Sequence, residues 1–178
     1  MRAGETGSAP GCDAPVVWEA LAQVPDPELP FISVVELGIV RAVEPGASAG
    51  RWRVVVTPTF SGCPATRVIE ADIRAALDAV APGACEIVTR LAPPWSTDAM
   101  APEARRKLAA AGIAPPGLRC AGGTTQSVAA LRRVAVPVAC PRCGSRRTRE
   151  VSRFGSTPCK AQFRCDDCLE PFDYFKSH

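Results

Sequence analysis

Residues 51–64 read RWRVVVTPTFSGCP and set the α/β character of the chain. In the first half, the side chains at 52, 54 and 56 would face a core while those at 51, 53 and 57 face outward, which is the period of two typical of a strand. In the second half, Gly62 lets the backbone turn sharply and Pro64 suits the first position of a helix. The stretch therefore predicts a strand that passes through a tight turn into a helix.

The flanking segments extend this pattern into one α/β unit of residues 13–112. The other predicted elements are helices after Asp13 and at 102–111, a strand at 85–91, and at 34–43 either a strand or a turn that leads into one. Gly112 follows the last helix at the position where a left-handed cap is expected. The residues expected along one face of the longest helix are Val68, Ile69, Ile73, Leu77 and Val80. We therefore predict an α+β fold in which helices pack on a small mixed sheet.

The rest of the chain divides into three further segments. Residues 1–12 are mostly small and predict a disordered leader. Residues 113–135 contain clustered Gly and Pro with little periodicity, which predicts a linker or a connection draped over the fold. Residues 136–178 predict a separate zinc-ribbon module. Two packed units fit a chain of 178 residues of which 47% are hydrophobic.

Composition argues against several functional classes. The 21 basic residues are set against 18 acidic ones, and neither sign forms a long block, so charge gives no case for nucleic acid. The N-terminus lacks the apolar stretch of a signal peptide, and no run approaches the roughly 18 apolar residues of a membrane span. We therefore expect a cytoplasmic protein without a membrane partner.

The histidine content restricts the chemistry further. The only histidine is His178, so neither a hydrolase with an internal histidine base nor a di-iron site with histidine ligands can be assembled from this chain. Oxygen or hydrolytic chemistry would have to come from a partner protein.

Two Cys-x-x-Cys pairs predict one structural zinc ion. The pairs are Cys140–Cys143 and Cys165–Cys168, separated by 21 residues, slightly more than the roughly 15 to 20 usual in zinc ribbons. Each pair places two thiolates on one side of a tight turn, and the two turns complete the tetrahedron that Zn²⁺ favours. Four protein ligands leave no position for water or substrate, which favours a structural role. A redox dithiol pair or simple buried cysteines are the alternatives, but a segment too small for its own core favours metal.

Three further features could carry chemistry. Cys63 is predicted as the N-cap of the helix that starts at Pro64, where the helix dipole favours a thiolate; an inert cap is the alternative. Asp26 and Glu28, in a proline-bounded turn, could supply oxygen ligands or fix a loop, although the residue types favour a solvated turn. Cys159 is surplus to a four-ligand site and is either a buried small hydrophobe or an extra thiol for metal handover.

Several motifs together resemble a known family. The motifs VPDPELP at 24–30, SVVELG at 33–38 and TPTFSGCP at 57–64 are similar to the signature of the iron–sulfur cluster assembly domain of SufT-like and related cytosolic factors. Two more motifs, APPWSTD at 92–98 and RFGSTPCKA at 153–161, narrow the resemblance to the accessory family of phenylacetate degradation that accompanies the phenylacetyl-CoA epoxidase. With the ribbon included, the resemblance covers nearly the whole chain.

The resemblance implies a role in maturing or maintaining the metal centres of that epoxidase, which are a di-iron site and an iron–sulfur cluster. The family's reactive cysteine corresponds to Cys63, and its acidic turn to Asp26 and Glu28. Zinc would be structural, and an iron ion or iron–sulfur cluster would be bound transiently. The partners would be the epoxidase subunits and iron–sulfur assembly proteins, and the chain itself would not be catalytic.

Two other functions compete with this interpretation. One is a structural subunit that bridges the epoxidase components without transferring metal. The other is a nucleic-acid module, suggested by the arginines of the ribbon but disfavoured because few aromatic residues interleave them. The segment Trp95 to Asp98 has no physical explanation from sequence, and a partner-docking loop is one hypothesis for it.

Overall fold

The computed structural model describes residues 13–48, 50–60, 62–117 and 138–176. The helices are α1 (Ala14–Ala22), α2 (Thr66–Val80) and α3 (Pro102–Ala110), with a short 3-10 turn at Thr97–Ala99. The strands are β1 (Pro25–Asp26), β2 (Leu29–Ser33), β3 (Val40–Pro45), β4 (Trp52–Val56), β5 (Cys85–Thr89), β6 (Ile113–Ala114), β7 (Thr148–Ser152), β8 (Lys160–Cys165) and β9 (Pro171–Phe175). The predicted leader and residues 118–135 of the predicted linker lie outside the described residues. No helix among the described residues is long and apolar enough to cross a membrane.

Apart from the two-stranded sheet of β1 and β2, the described residues form two larger sheets. The first has the order β3-β4-β5, with β4 antiparallel to β3 and parallel to β5. Trp52, Val54 and Val56 contact the main hydrophobic core, as the alternation predicts. Thr57 was expected to face outward, and this expectation is wrong, because the residue is only 3% exposed. Its N–H donates to the carbonyl of Ile39 at 2.8 Å, so the turn before β3 covers the end of β4. The mixed α+β fold is confirmed.

Helix α2 packs a narrower face into this core than its sequence predicts. The buried residues of this helix are Ile69, Ile73 and Leu77, which are spaced four residues apart. Val68 and Val80, expected on the same face, are 49% and 42% exposed. Val68 lies about 100° around the helix from Ile69, and Val80 is the last residue of the helix.

Residues 34–43 form a turn that leads into a strand, the second of the two alternatives that the sequence offers, because two side chains there bond the backbone. The N–H of Ser33 donates to the Glu36 carboxylate at 2.8 Å, and the N–H of Glu36 donates to the Ser33 hydroxyl at 3.2 Å. Lys107 of α3 donates to the same carboxylate at 2.7 Å. Although burial opposes the effect, the bonds from Lys107 and Ser33 lower the pKa of Glu36. This reciprocal capping arrangement holds the turn and delays the strand to Val40.

The second sheet has the order β6-β9-β8-β7 and forms the ribbon, which here means residues 138–176. Ile113 and Ala114, expected in the linker, pair in parallel with β9 at the edge of this sheet. Phe175, at the end of β9, is 1% exposed and belongs to the main core. The ribbon therefore packs against the α/β unit through an aromatic side chain. The predicted segment boundaries remain predictions.

Candidate metal sites

The first site is formed by Cys140, Cys143, Cys165 and Cys168, whose sulfur atoms all lie within 4.8 Å of one another. The sulfurs of Cys140 and Cys168 are 3.7 Å apart, and those of Cys143 and Cys165 are 3.6 Å apart. Zn–S bonds of about 2.3 Å in a tetrahedron require sulfurs about 3.8 Å apart, so the arrangement fits Zn²⁺ held by four thiolates. Among the described residues, this is the one cluster of at least three Cys, His, Asp or Glu side chains with such spacing.

Each turn of this site is closed by a residue with positive φ. Gly144 follows Cys143 with φ of 75°, and Leu169 follows Cys168 with φ of 65°. A leucine accepts this conformation at a cost of about 1 to 2 kcal/mol, which the surrounding structure must offset. Backbone bonds close both turns, since the N–H of Cys140 donates to Ser145 at 2.8 Å and that of Cys165 donates to Glu170 at 3.0 Å. The backbone of the two turns thus holds the four thiols around one point, where a metal ion would bind.

The electrostatics of the four thiols also point to a cation. Backbone N–H groups of Cys168 and Asp167 donate to the sulfur of Cys165 and lower its pKa to about 7, although burial acts in the opposite direction. The N–H of Glu170 donates to Cys168, yet desolvation and the neighbouring sulfurs raise the pKa of Cys168 to about 12. Four sulfurs this close cannot all ionise side by side without a positive charge between them. A divalent metal supplies that charge and displaces the protons.

The second candidate site contains Cys63, which lies half-buried in the turn between β4 and α2. The prediction that it caps the helix is wrong, because α2 begins at Thr66 and its N-cap is Ala65. Pro64 belongs to the preceding turn. The carbonyl of Cys63, rather than its thiol, serves the helix start by accepting from the N–H and the hydroxyl of Thr66 at 3.3 and 2.9 Å. The thiol is therefore not engaged in capping.

The acidic turn is a hairpin of β1 and β2 that buries one of its two carboxylates. Asp26 is 7% exposed, and one of its oxygens accepts from the N–H groups of Glu28 and Leu29, each at 2.9 Å. Burial raises the pKa of Asp26, although these two bonds and the charge of Lys160 oppose the increase. A solvated turn is therefore the wrong interpretation for Asp26. It holds for Glu28, which is exposed.

Cys159 of the ribbon lies beside Cys63 and the acidic turn. Both cysteines, with Asp26 and Glu28, line a cavity of about 20 Å³. Both also line a neighbouring cavity of about 10 Å³. The hydroxyl of Thr157 lies 3.1 Å from the Cys159 sulfur. No sequence pattern indicates this juxtaposition, beyond the presence of a cysteine in excess of the four paired ones.

The Trp95 to Asp98 segment joins elements of the fold. Trp95 is 3% exposed, and its indole N–H donates to the carbonyl of Leu37 at 2.9 Å. Thr97 is fully buried, and its carbonyl accepts from the guanidinium of Arg105 in α3. These contacts give the segment a structural role and argue against a docking loop.

Both the α/β unit and the ribbon match known protein families. Residues 15–89 match the iron-sulfur cluster assembly protein family, and residues 124–176 match the PaaD zinc beta ribbon domain. A protein of Escherichia coli (strain K12), whose name describes it as a putative subunit of the 1,2-phenylacetyl-CoA epoxidase, is 43% identical over 160 residues, which are 90% of this chain and 90% of that protein.

Two solved structures are also similar to part of the chain. A DUF59 domain of unknown function from Bacillus anthracis is 30% identical, with a TM-score of 0.47, over 52% of this chain and 87% of that one. A conserved hypothetical protein from Thermotoga maritima is 28% identical, with a TM-score of 0.48, over 57% of this chain and 98% of that one.

Proposed function

The chain belongs to the PaaD family, and on that basis we propose that it is an accessory protein of aerobic phenylacetate degradation that matures or maintains the metal centres of the phenylacetyl-CoA epoxidase. The name of the Escherichia coli relative supports the pathway and the epoxidase subunits as partners. The match to iron-sulfur cluster assembly proteins supports metal handling, with an iron ion or a cluster as cargo and assembly proteins as further partners. We place this activity in the cytoplasm.

The observation that carries the proposal is the position of the Cys63 thiol. It is half-buried, it lines a cavity together with the carboxylates of Asp26 and Glu28, and it takes no part in capping α2. A thiolate is a strong ligand for iron, and carboxylates beside it add negative charge that attracts a cation. Such a site can accept a metal ion without enclosing it on all sides.

The four-cysteine site has a different role in this proposal. A metal bound by Cys140, Cys143, Cys165 and Cys168 would have no open position, so it would hold the ribbon together and would not be passed on. Zinc is the metal that fits this ligand set. The chain carries its cargo at Cys63 and keeps its zinc.

The proposal is tested in cells that express the epoxidase subunits together with this protein. Cys63→Ala should reduce the iron content and activity of the purified epoxidase to a few tenths or less of the wild-type values. Cys85→Ala is the matched control, because Cys85 is a buried thiol in β5 and lines neither of the two cavities. Both variants should retain one zinc per chain and a native circular dichroism spectrum.

A bridging subunit that transfers no metal is the alternative function. It requires a fixed ratio of this protein to the other subunits in the active complex, and it predicts normal iron in the presence of Cys63→Ala. Normal iron loading with that variant would contradict metal maturation. Loss of iron with Cys63→Ala but not with Cys85→Ala would contradict simple bridging.

A further inference from the structure

We propose that Cys159 is a second sulfur ligand for iron, which joins Cys63 to form a two-thiolate site where the ribbon meets the α/β unit. This inference rests on the function proposed above and specifies which atoms would hold the cargo. It also gives the ribbon a direct part in metal handling, in addition to its own zinc site.

The ribbon presents Cys159 on a backbone that is fixed at several points. The residue lies in the tight turn before β8, where the N–H of Lys160 donates to the carbonyl of Thr157 at 3.0 Å. The Cys159 carbonyl accepts from the N–H of Lys176 at 2.9 Å, just after Phe175 enters the main core. The docking of β9 therefore fixes Cys159 against the same core that Cys63 contacts.

The charges around the two thiols suit a divalent ion. Asp26 and Lys160 are 7% and 6% exposed, so each keeps its charge away from most of the solvent. Two thiolates, the buried Asp26 carboxylate, the Lys160 ammonium group and one Fe²⁺ ion have formal charges that sum to zero, and the exposed Glu28 carboxylate, which also lines the cavity, adds one negative charge. Binding would release the two thiol protons to solvent. Without the ion, burial raises the pKa of both Asp26 and Cys159, so the positive charge of a bound ion would offset a cost of desolvation.

The size of the cavity bears on whether the cargo is a single iron ion or an iron–sulfur cluster. A volume of about 20 Å³ holds one water molecule or one ion, which favours a single Fe²⁺ ion over a cluster of several iron and sulfide atoms. One oxygen of Asp26 already accepts two backbone hydrogen bonds, so that oxygen contributes charge and is not a ligand. Two sulfur ligands leave positions open on the iron, and ligands of a receiving protein can enter there.

The test is Fe²⁺ binding to the zinc-loaded protein under anaerobic conditions. Fe²⁺ binds such ligands more weakly than Zn²⁺, so it should not displace zinc from the ribbon. Wild-type protein should bind one Fe²⁺ per chain beyond its zinc, and absorption at the iron edge should show two sulfur ligands. Cys159→Ser and Cys63→Ser should each leave one sulfur on the iron and weaken binding at least tenfold. Cys85→Ser, the matched control, should change neither value.

The number of sulfur ligands decides between the outcomes. A single sulfur ligand on the iron of the wild-type protein, with the same value in Cys159→Ser, would overturn the two-thiolate site. Iron–iron scattering together with labile sulfide would also overturn it, because both indicate a cluster. If Cys63→Ala still lowers epoxidase iron in cells, the proposed function survives that failure. Thr157→Val keeps the Cys159 thiol but removes the hydroxyl beside it. This variant should retain two sulfur ligands, which distinguishes loss of the thiol from damage to the loop.

Discussion

The indole ring of Trp95 meets the ring of Phe175 edge-on, with ring centroids 6.1 Å apart and ring planes inclined by 63°. The contact joins the last strand of the ribbon to the segment after β5. Trp95 in turn donates to the carbonyl of Leu37, so the pair also supports the turn before β3. An edge-to-face aromatic pair contributes about 0.5 to 1.5 kcal/mol beyond the area that it buries.

Phe175→Ala should lower the free energy of unfolding by about 3 to 5 kcal/mol, because it leaves a cavity in the main core and removes this aromatic contact. The zinc site is formed by other residues, so zinc content should stay at one per chain. Chemical denaturation and metal analysis of the same sample would measure both. Loss of zinc together with stability would contradict this separation of roles. Phe154→Ala is the control, since Phe154 is 69% exposed and should change stability little.

Cys140→Ser should release zinc and unfold the ribbon. A zinc site contributes on the order of 10 kcal/mol, more than a small module can offset with its own core. The α/β unit should remain folded but less stable, because Phe175 leaves its core when the ribbon unfolds. Limited proteolysis should cut within 138–176 first and leave a resistant fragment that contains residues 13–112. Simultaneous digestion of both parts would contradict the prediction.

Local patterns predicted the four-cysteine cluster and singled out Cys63, Asp26 and Glu28, whereas the position of Cys159 beside Cys63 depends on contacts that sequence does not encode locally. A Cys-x-x-Cys pair fixes its own geometry within one turn, so its residues were identified directly. Cys63 and Cys159 come together where the ribbon packs against the main core, and the contact of Phe175 with Trp95 is part of that packing. The spacing of apolar residues along the sequence does not predict this contact between distant segments.

The errors in the α/β unit have the same physical origin. The strand period placed Thr57 outward, but the turn that covers it is held by Glu36 and by Lys107 of a later helix. The helix after Cys63 begins later than Pro64 suggests. The preference of proline for a first helical position does not exclude a preceding turn.

Gly38→Ala should destabilise the protein by about 3 kcal/mol for two reasons. The backbone conformation at this position is strained for any residue with a side chain, and the added methyl group would overlap the backbone of Ala99. Gly38 has φ of 71°, and an added Cβ would lie 2.7 Å from the carbonyl carbon of Ala99. Gly83 is the matched control, with φ of 67° and open space around its Cα. Gly83→Ala should cost only the strain, about 1 kcal/mol. Equal thermal shifts in the two variants would show that the contact with Ala99 is unimportant.

Asp26→Asn should make the protein more stable than the wild type at pH 7. The asparagine oxygen can still accept from the N–H groups of Glu28 and Leu29, while the charge disfavoured by burial is removed. Asp26→Ala is the matched comparison. It removes the acceptor as well, and the loss of two hydrogen bonds should destabilise the protein by about 2 kcal/mol.

The pH dependence tests the cause of this difference between Asp26→Asn and the wild type. Burial raises the pKa of Asp26 above its ordinary value of 3.8, so the folded state binds the proton more readily than the unfolded state does. The stability of the wild type should therefore rise relative to Asp26→Asn as the pH falls through the folded-state pKa toward the ordinary value. Urea unfolding of both proteins at pH 7 and near pH 4 would measure the change. An advantage of Asp26→Asn that grows as the pH falls would mean that the fold stabilises the Asp26 charge, and burial would then not be the dominant effect on this carboxylate.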